Sequence, residues 1–150
     1  MIRQISILLG LIALAMLACL PAWAADSGTA RPEVDWSSLR DAMQTTVGDK
    51  QTIAFLPEAE KLNGKQVTIH GWITPFNLGD GDTVKSFLLT GTPGTCPFCS
   101  GALPQDFVLV SADEPIPVDI TAEFVLTGRF EVSQDDPTGF YYRLRNAKRQ

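Results

Sequence analysis

The feature that most limits the fold of this chain is a long run of strict alternation from Gln66 to Phe76, interrupted once by a glycine. Successive side chains of an extended chain point to opposite faces, so Val67, Ile69, Gly71 and Ile73 share one face and Thr68, His70, Trp72 and Thr74 the other. The first set is the expected core face. A second run, Ala122 to Val132, repeats the pattern with Phe124, Leu126, Gly128, Phe130 and Val132. A strand with a glycine in its middle suits a sheet that curls on itself, because the missing side chain lets another backbone come close. Three shorter runs, Ser86 to Thr90, Phe107 to Val110 and Phe140 to Leu144, complete a set of five, with turn-forming clusters at Gly79 to Asp82 and Gln134 to Gly139. The expected fold is mainly β, a small five-stranded Greek-key barrel of OB-like type with Gly71 and Gly128 at the bends. Trp36, Leu39, Met43 and Val47 recur at helical spacing and predict one short N-terminal helix laid on that barrel.

Upstream of the barrel, Arg3 precedes an apolar run from Ile5 to Leu20 that ends at Pro21-Ala22-Trp23-Ala24. A basic start, an apolar stretch and small residues at alternate positions before a cut are the pattern of a secretory signal. Residues 1–24 are therefore expected to be a signal peptide, 25–35 a flexible leader and 36–150 a single domain. The expected location is the periplasm, with no membrane span after cleavage. Cys19 is a poor lipoprotein anchor, since Met16 stands where leucine is usual and Leu20-Pro21-Ala22-Trp23 is too apolar for a mature tether. Cleavage leaves about 126 residues, the length of one compact domain.

The net charge is −5 and loss of Arg3 makes the exported chain more acidic still. Nucleic-acid affinity rests on clustered Lys and Arg that neutralise phosphates, so no nucleic-acid partner is expected, even though Trp72, Tyr141 and Tyr142 resemble a stacking platform. The basic group Arg143, Arg145, Lys148 and Arg149 reads as a solvated strand end. No Ser-His-Asp arrangement, phosphate loop or paired-carboxylate signature is present, so no catalytic residue and no organic cofactor is named.

One motif carries chemistry. Cys96-Pro97-Phe98-Cys99 lies in a loop rich in glycine and proline, from Gly91 to Gly101. Two thiolates from one tight loop supply half of a tetrahedral soft-metal site, with His70, the sole histidine, as candidate third ligand and zinc as candidate metal. The same pair suits thiol–disulfide exchange, since a Cys-Pro-x-Cys arrangement lowers the pKa of its first thiol. Ser100-Gly101-Ala102-Leu103-Pro104 gives no helix behind the motif to support that, and Ser100 stands where a c-type haem site needs histidine. In an oxidising compartment the two cysteines also suit a small disulfide that stiffens the loop. With the disulfide reading comes a third role, a binding module that uses the outer barrel face around Trp72.

The order of several short motifs resembles DUF3299, a domain of unknown function in bacterial exported proteins and lipoproteins. They are Leu62-Asn-Gly-Lys-Gln-Val67, Gly71-Trp-Ile-Thr-Pro75, Phe87-Leu-Leu89, Gly94-Thr-Cys96 and Gly139-Phe-Tyr-Tyr-Arg-Leu144. The resemblance implies an OB-like periplasmic domain associated with zinc or other metal uptake, with a metal-uptake transporter or another periplasmic protein as partner. It assigns Cys96 as the family's loop cysteine. This chain has Phe98 where the family typically places a histidine, and Cys99 follows as a substitute ligand or as the other half of a disulfide. The leading expectation is a metal-handling protein, most simply non-enzymatic, with Cys96, Cys99 and His70 as ligands.

Overall fold

Asp35 starts the first element by accepting a hydrogen bond from the Ser37 N–H at 2.9 Å, which caps the short helix α1, Trp36–Arg40. Such a cap satisfies one of the N–H groups that a helix start leaves free. The computed structural model describes residues 30–75, 82–99, 101–135 and 137–150; within it Arg31–Gln150 form one unit. Helical spacing does not carry α1 onward through Met43 and Val47. Met43–Val47 instead form strand β1, antiparallel to β2, Lys50–Ala54, and both Met43 and Val47 are exposed. The run Thr45-Thr46-Val47 is β-branched and stiff at χ1, which favours strand, and Gly48 at φ 64° makes the reversal. Helix α2, Pro57–Leu62, opens on a proline whose missing N–H costs nothing at a first helical position.

Five strands close the barrel: β3 (Gln66–Thr74), β4 (Thr83–Thr90), β5 (Phe107–Pro117), β6 (Glu123–Val132) and β7 (Tyr142–Arg149), in the order β3-β4-β5-β7-β6. β6 returns to pair with β3, and β5 with β7 is the one parallel neighbour pair among them. This is the expected OB-like barrel. β3 buries Val67, Ile69, Gly71 and Ile73 and leaves the alternate residues half-covered or exposed, as the alternation requires. Gly71 and Gly128 are where strands press together: a Cβ would lie 2.6 Å from the Thr90 carbonyl oxygen at the first and 2.8 Å from that of Arg145 at the second. The β6–β7 register slips at Gly128. Strand β5 runs on past Val110 to Pro117. Its prolines are tolerated because the far end has a neighbour, Thr83 to Val84, on one side only.

The core inside the barrel includes Phe87, Phe124, Phe130 and Tyr142, each essentially inaccessible. Tyr142 stacks on Phe130 at 5.7 Å and donates its hydroxyl to the Leu39 carbonyl at 2.9 Å, tying α1 to the barrel. Trp72, Tyr141 and Tyr142 do not share one stacking face. Tyr142 faces inward, and Tyr141 meets Phe55 edge-on. A smaller cluster lies outside the barrel, where Leu88, Phe107 and Leu109 are buried under Ala102 and Phe140. Outer strand faces of this kind hold bases in nucleic-acid OB folds; here the chain covers its own.

Burial pushes the Tyr142 phenol above its ordinary value of 10.0, and neighbouring Tyr141 adds to the rise. The folded chain therefore holds that proton more tightly than the unfolded chain does. Its stabilisation is complete below the unfolded value and is lost as the pH rises beyond it. Urea unfolding between about pH 9 and about pH 11 is expected to show falling stability, and Tyr142→Phe to remove part of that fall. An unchanged profile in the variant would show that Tyr142 is not the group responsible.

Candidate functional site

The cysteine loop is rooted by three separate segments. At its start a Cβ on Gly91 would lie 2.5 Å from the Trp36 ring, so only glycine leaves room for the indole against the backbone there. Trp36 Nε1 donates to the His70 carbonyl at 2.7 Å, and an Arg40 guanidinium N–H reaches Thr92 Oγ1 at 3.3 Å. Helix α1 thereby clamps the loop to β3. Within the loop the Thr90 and Thr95 hydroxyls both donate to the Thr92 carbonyl, at 2.9 and 2.8 Å, and Thr74 Oγ1 donates to the Thr95 carbonyl at 3.4 Å. Threonines at these positions give the loop internal partners that replace a strand ladder.

Cys96 and Cys99 are joined by a disulfide, with their Cα atoms 5.4 Å apart. The Cys99 N–H donates to the Cys96 carbonyl at 3.3 Å, and that of Ala102 to the Cys99 carbonyl at 3.3 Å, so the motif is a tight turn, and among the described residues only a single 3-10 turn, Pro104–Asp106, follows it. Cys96 is half-buried and Cys99 exposed. Beyond it the chain is fixed by Asp106, whose carboxylate accepts from the Leu103 N–H at 3.0 Å.

Between this loop and the end of β3 lies an open groove of 330 Å³, walled by Ile73, Thr74 and Pro75 on one side and by Gly94 to Phe98 on the other, with Ile120 at its edge. No charged residue lines it among the described residues. Phe98 is 80% exposed and Ile120 59%. Ile120 is held out by a local turn in which Asp119 Oδ1 accepts from the Thr121 N–H at 2.9 Å and the Thr121 hydroxyl at 2.6 Å. Those bonds, the hydroxyl's first, hold the Asp119 carboxyl below its ordinary range.

The structure brings Cys96 and Cys99 together and places His70 elsewhere. His70 lies on β3 opposite Val125, its Nε2 is 3.7 Å from Glu33 Oε1, and it does not line the groove. Among the described residues no three His, Cys, Asp or Glu side chains converge as a metal site. Two sulfurs are half of the closed tetrahedral set that structural zinc uses, so the described residues alone do not form a complete zinc site. Sequence reasoning missed Ile120 at the edge of the groove and the Trp36–Gly91 contact at the root of the loop. Ile120 was readable as a lone apolar residue inside a turn cluster; the Trp36–Gly91 contact had no local signal, because its partners are far apart in the chain.

A family model described as a protein of unknown function, DUF3299, matches residues 25–146. A crystal structure of a DUF3299 family protein from Pseudomonas aeruginosa PAO1 superposes with a TM-score of 0.58 at 18% identity, over 81% of this chain and 97% of that one. At that identity the likeness concerns the fold. No curated protein matches the chain. Among the described residues no helix is long and apolar enough to cross a membrane.

Proposed function

This chain belongs to the protein family DUF3299, and from that premise we propose that it is an exported, periplasmic binding module whose groove beside the Cys96–Cys99 loop holds an extended apolar segment of another exported polypeptide. The observation that carries this is the exposed Phe98 on a loop closed by a disulfide, beside a groove that no charged residue lines among the described residues. A large aromatic held in water gains free energy when a partner covers it, on the order of 2 kcal/mol for its full burial. A loop already closed by a covalent bond loses little conformational freedom on binding, which favours affinity. The groove's 330 Å³ lies at the low end of the range for ligand pockets and accommodates one or two side chains.

The test is an array of short peptides differing in their apolar residues, read against the wild-type protein, Phe98→Ser and Ile120→Ser. Peptides with paired apolar side chains are expected to bind, and each substitution to weaken them by about tenfold or more. Equal binding by Phe98→Ser would overturn the reading.

A second reading is soft-metal handling, favoured by the closeness of two sulfurs and the exposure of Cys99. A dithiol reductant supplying two electrons and two protons converts the disulfide to two thiols, and each thiol releases its proton on binding a metal ion. Two thiolates without a third ligand suit a soft ion such as Cu(I) better than four-coordinate zinc. Titration of the reduced protein with Cu(I) and with zinc, using Cys96→Ser as control, separates this from the groove reading: thiol-dependent uptake lost in the variant supports it, and absence of uptake sinks it.

A further inference from the structure

Away from the groove, Arg31, Arg129 and Lys148 come near one another on the outer side of β6 and β7, beside an Arg145 that is paired with Glu131, in a chain whose net charge is −5. The register explains why. Arg129 lies opposite both Gln66 of β3 and Arg145 of β7, Thr127 lies opposite Lys148, and the Thr68 N–H donating to the Pro32 carbonyl brings the segment of Arg31 alongside. A pocket of 270 Å³ opens on this face, lined by Arg31, Gln66, Asp113, Thr127, Asn146 and Lys148.

The backbone shapes that pocket. Asn146 has φ 52°, the one non-glycine residue with positive φ among the described residues. It is the extra residue at a bulge, since Arg145 pairs with Ser111 and Ala147 with Ala112. Bulges re-aim side chains and interrupt a ladder, and asparagine tolerates this region better than most residues. Opposite it, β6 answers with Gly128 at the β6–β7 register slip. Two irregularities of adjacent strands thus meet at one polar pocket.

Its lining holds two cations, two side-chain amides and a hydroxyl. The one carboxylate among these lining residues, Asp113, is 3.7 Å from Lys148 Nζ, so the described lining keeps a net positive charge. Guanidinium and ammonium groups with neutral donors around them match an anion with several oxygen acceptors. We infer that this pocket binds a phosphate group, either free phosphate or the phosphate of a lipid headgroup. The inference is independent of the groove and its occupant.

The experiment follows backbone amide NMR shifts of the exported protein as inorganic phosphate is added at constant ionic strength, with chloride as the control salt. Saturable shifts are expected at Thr127, Asn146 and Ala147. Arg31→Gln and Lys148→Gln are each expected to weaken binding about tenfold, Asp113→Asn to tighten it, and Lys85→Gln, which replaces an exposed cation on β4, to leave it unchanged. Vesicles containing phosphatidylglycerol form the second arm. Binding to vesicles alone, with the same dependence on Arg31 and Lys148, assigns the phosphate to a lipid headgroup; saturation by inorganic phosphate alone assigns it to the free ion. Shifts that match those of chloride together with vesicle binding indifferent to both variants would overturn the inference.

Discussion

Phe130→Ala is expected to lower the folding free energy by about 3–5 kcal/mol, the usual cost of truncating a buried aromatic. Phe130 is fully buried, and its ring stacks at 5.7 Å on Tyr142, which in turn packs against Phe55 at 5.7 Å. Its own backbone is fixed on both sides: the Phe130 N–H donates to the Lys65 carbonyl at 2.9 Å, and the Phe130 carbonyl accepts from the Gly64 N–H at 2.7 Å. Neighbours held this way cannot collapse into the space that the ring leaves, so a cavity remains. A domain of this size has a total stability of roughly 5–15 kcal/mol, so the variant sits close to unfolding. Urea denaturation measures it as a lower midpoint with an unchanged slope. A loss below about 1 kcal/mol would mean that the barrel relaxes around the gap, contrary to the packing described.

Gly91→Val is the second large effect, and it acts on the site as well as the fold. The first added carbon falls 2.5 Å from the Trp36 ring, and two methyl groups follow. The indole has to leave, with loss of its hydrogen bond to the His70 carbonyl. Overpacking of about 1–3 kcal/mol and a lost hydrogen bond of about 1 kcal/mol together give an expected destabilisation of about 2–4 kcal/mol. Tryptophan emission is expected to shift to the red as the Trp36 ring becomes solvated. Peptide binding in the groove is expected to weaken, because Thr92 and Thr95 lose the support of α1. A stable variant with unshifted emission would show that the helix does not clamp the loop.

Local pattern was enough to locate the long strands and their inward faces. Val67, Ile69 and Ile73 are buried as their alternation demands, since side-chain period in an extended chain is set by covalent geometry. Gly71 and Gly128 were legible as places where the sheet must tighten. The strand ends were less so. Tyr142–Arg149 runs on through Asn146 and the basic residues, where polar composition hides a strand held by neighbours on both sides. Helical spacing misled at Met43 and Val47: periodicity alone cannot outweigh a β-branched run followed by a glycine turn when no core face awaits the apolar residues.

For the candidate site, the sequence by itself determined that Cys96 and Cys99 lie close together, because a two-residue spacer within one turn leaves their Cα atoms little room to separate. It equally determined that any loop so rich in glycine and proline stands outside the strands. Only the tertiary structure decided that His70 sits with Glu33 instead of the cysteines, and that Ile73, Phe98 and Ile120 share one groove. The physical reason is that neighbour relations within a few residues follow from bond geometry, whereas contacts between distant segments follow from strand register and barrel closure, which the whole core sets at once.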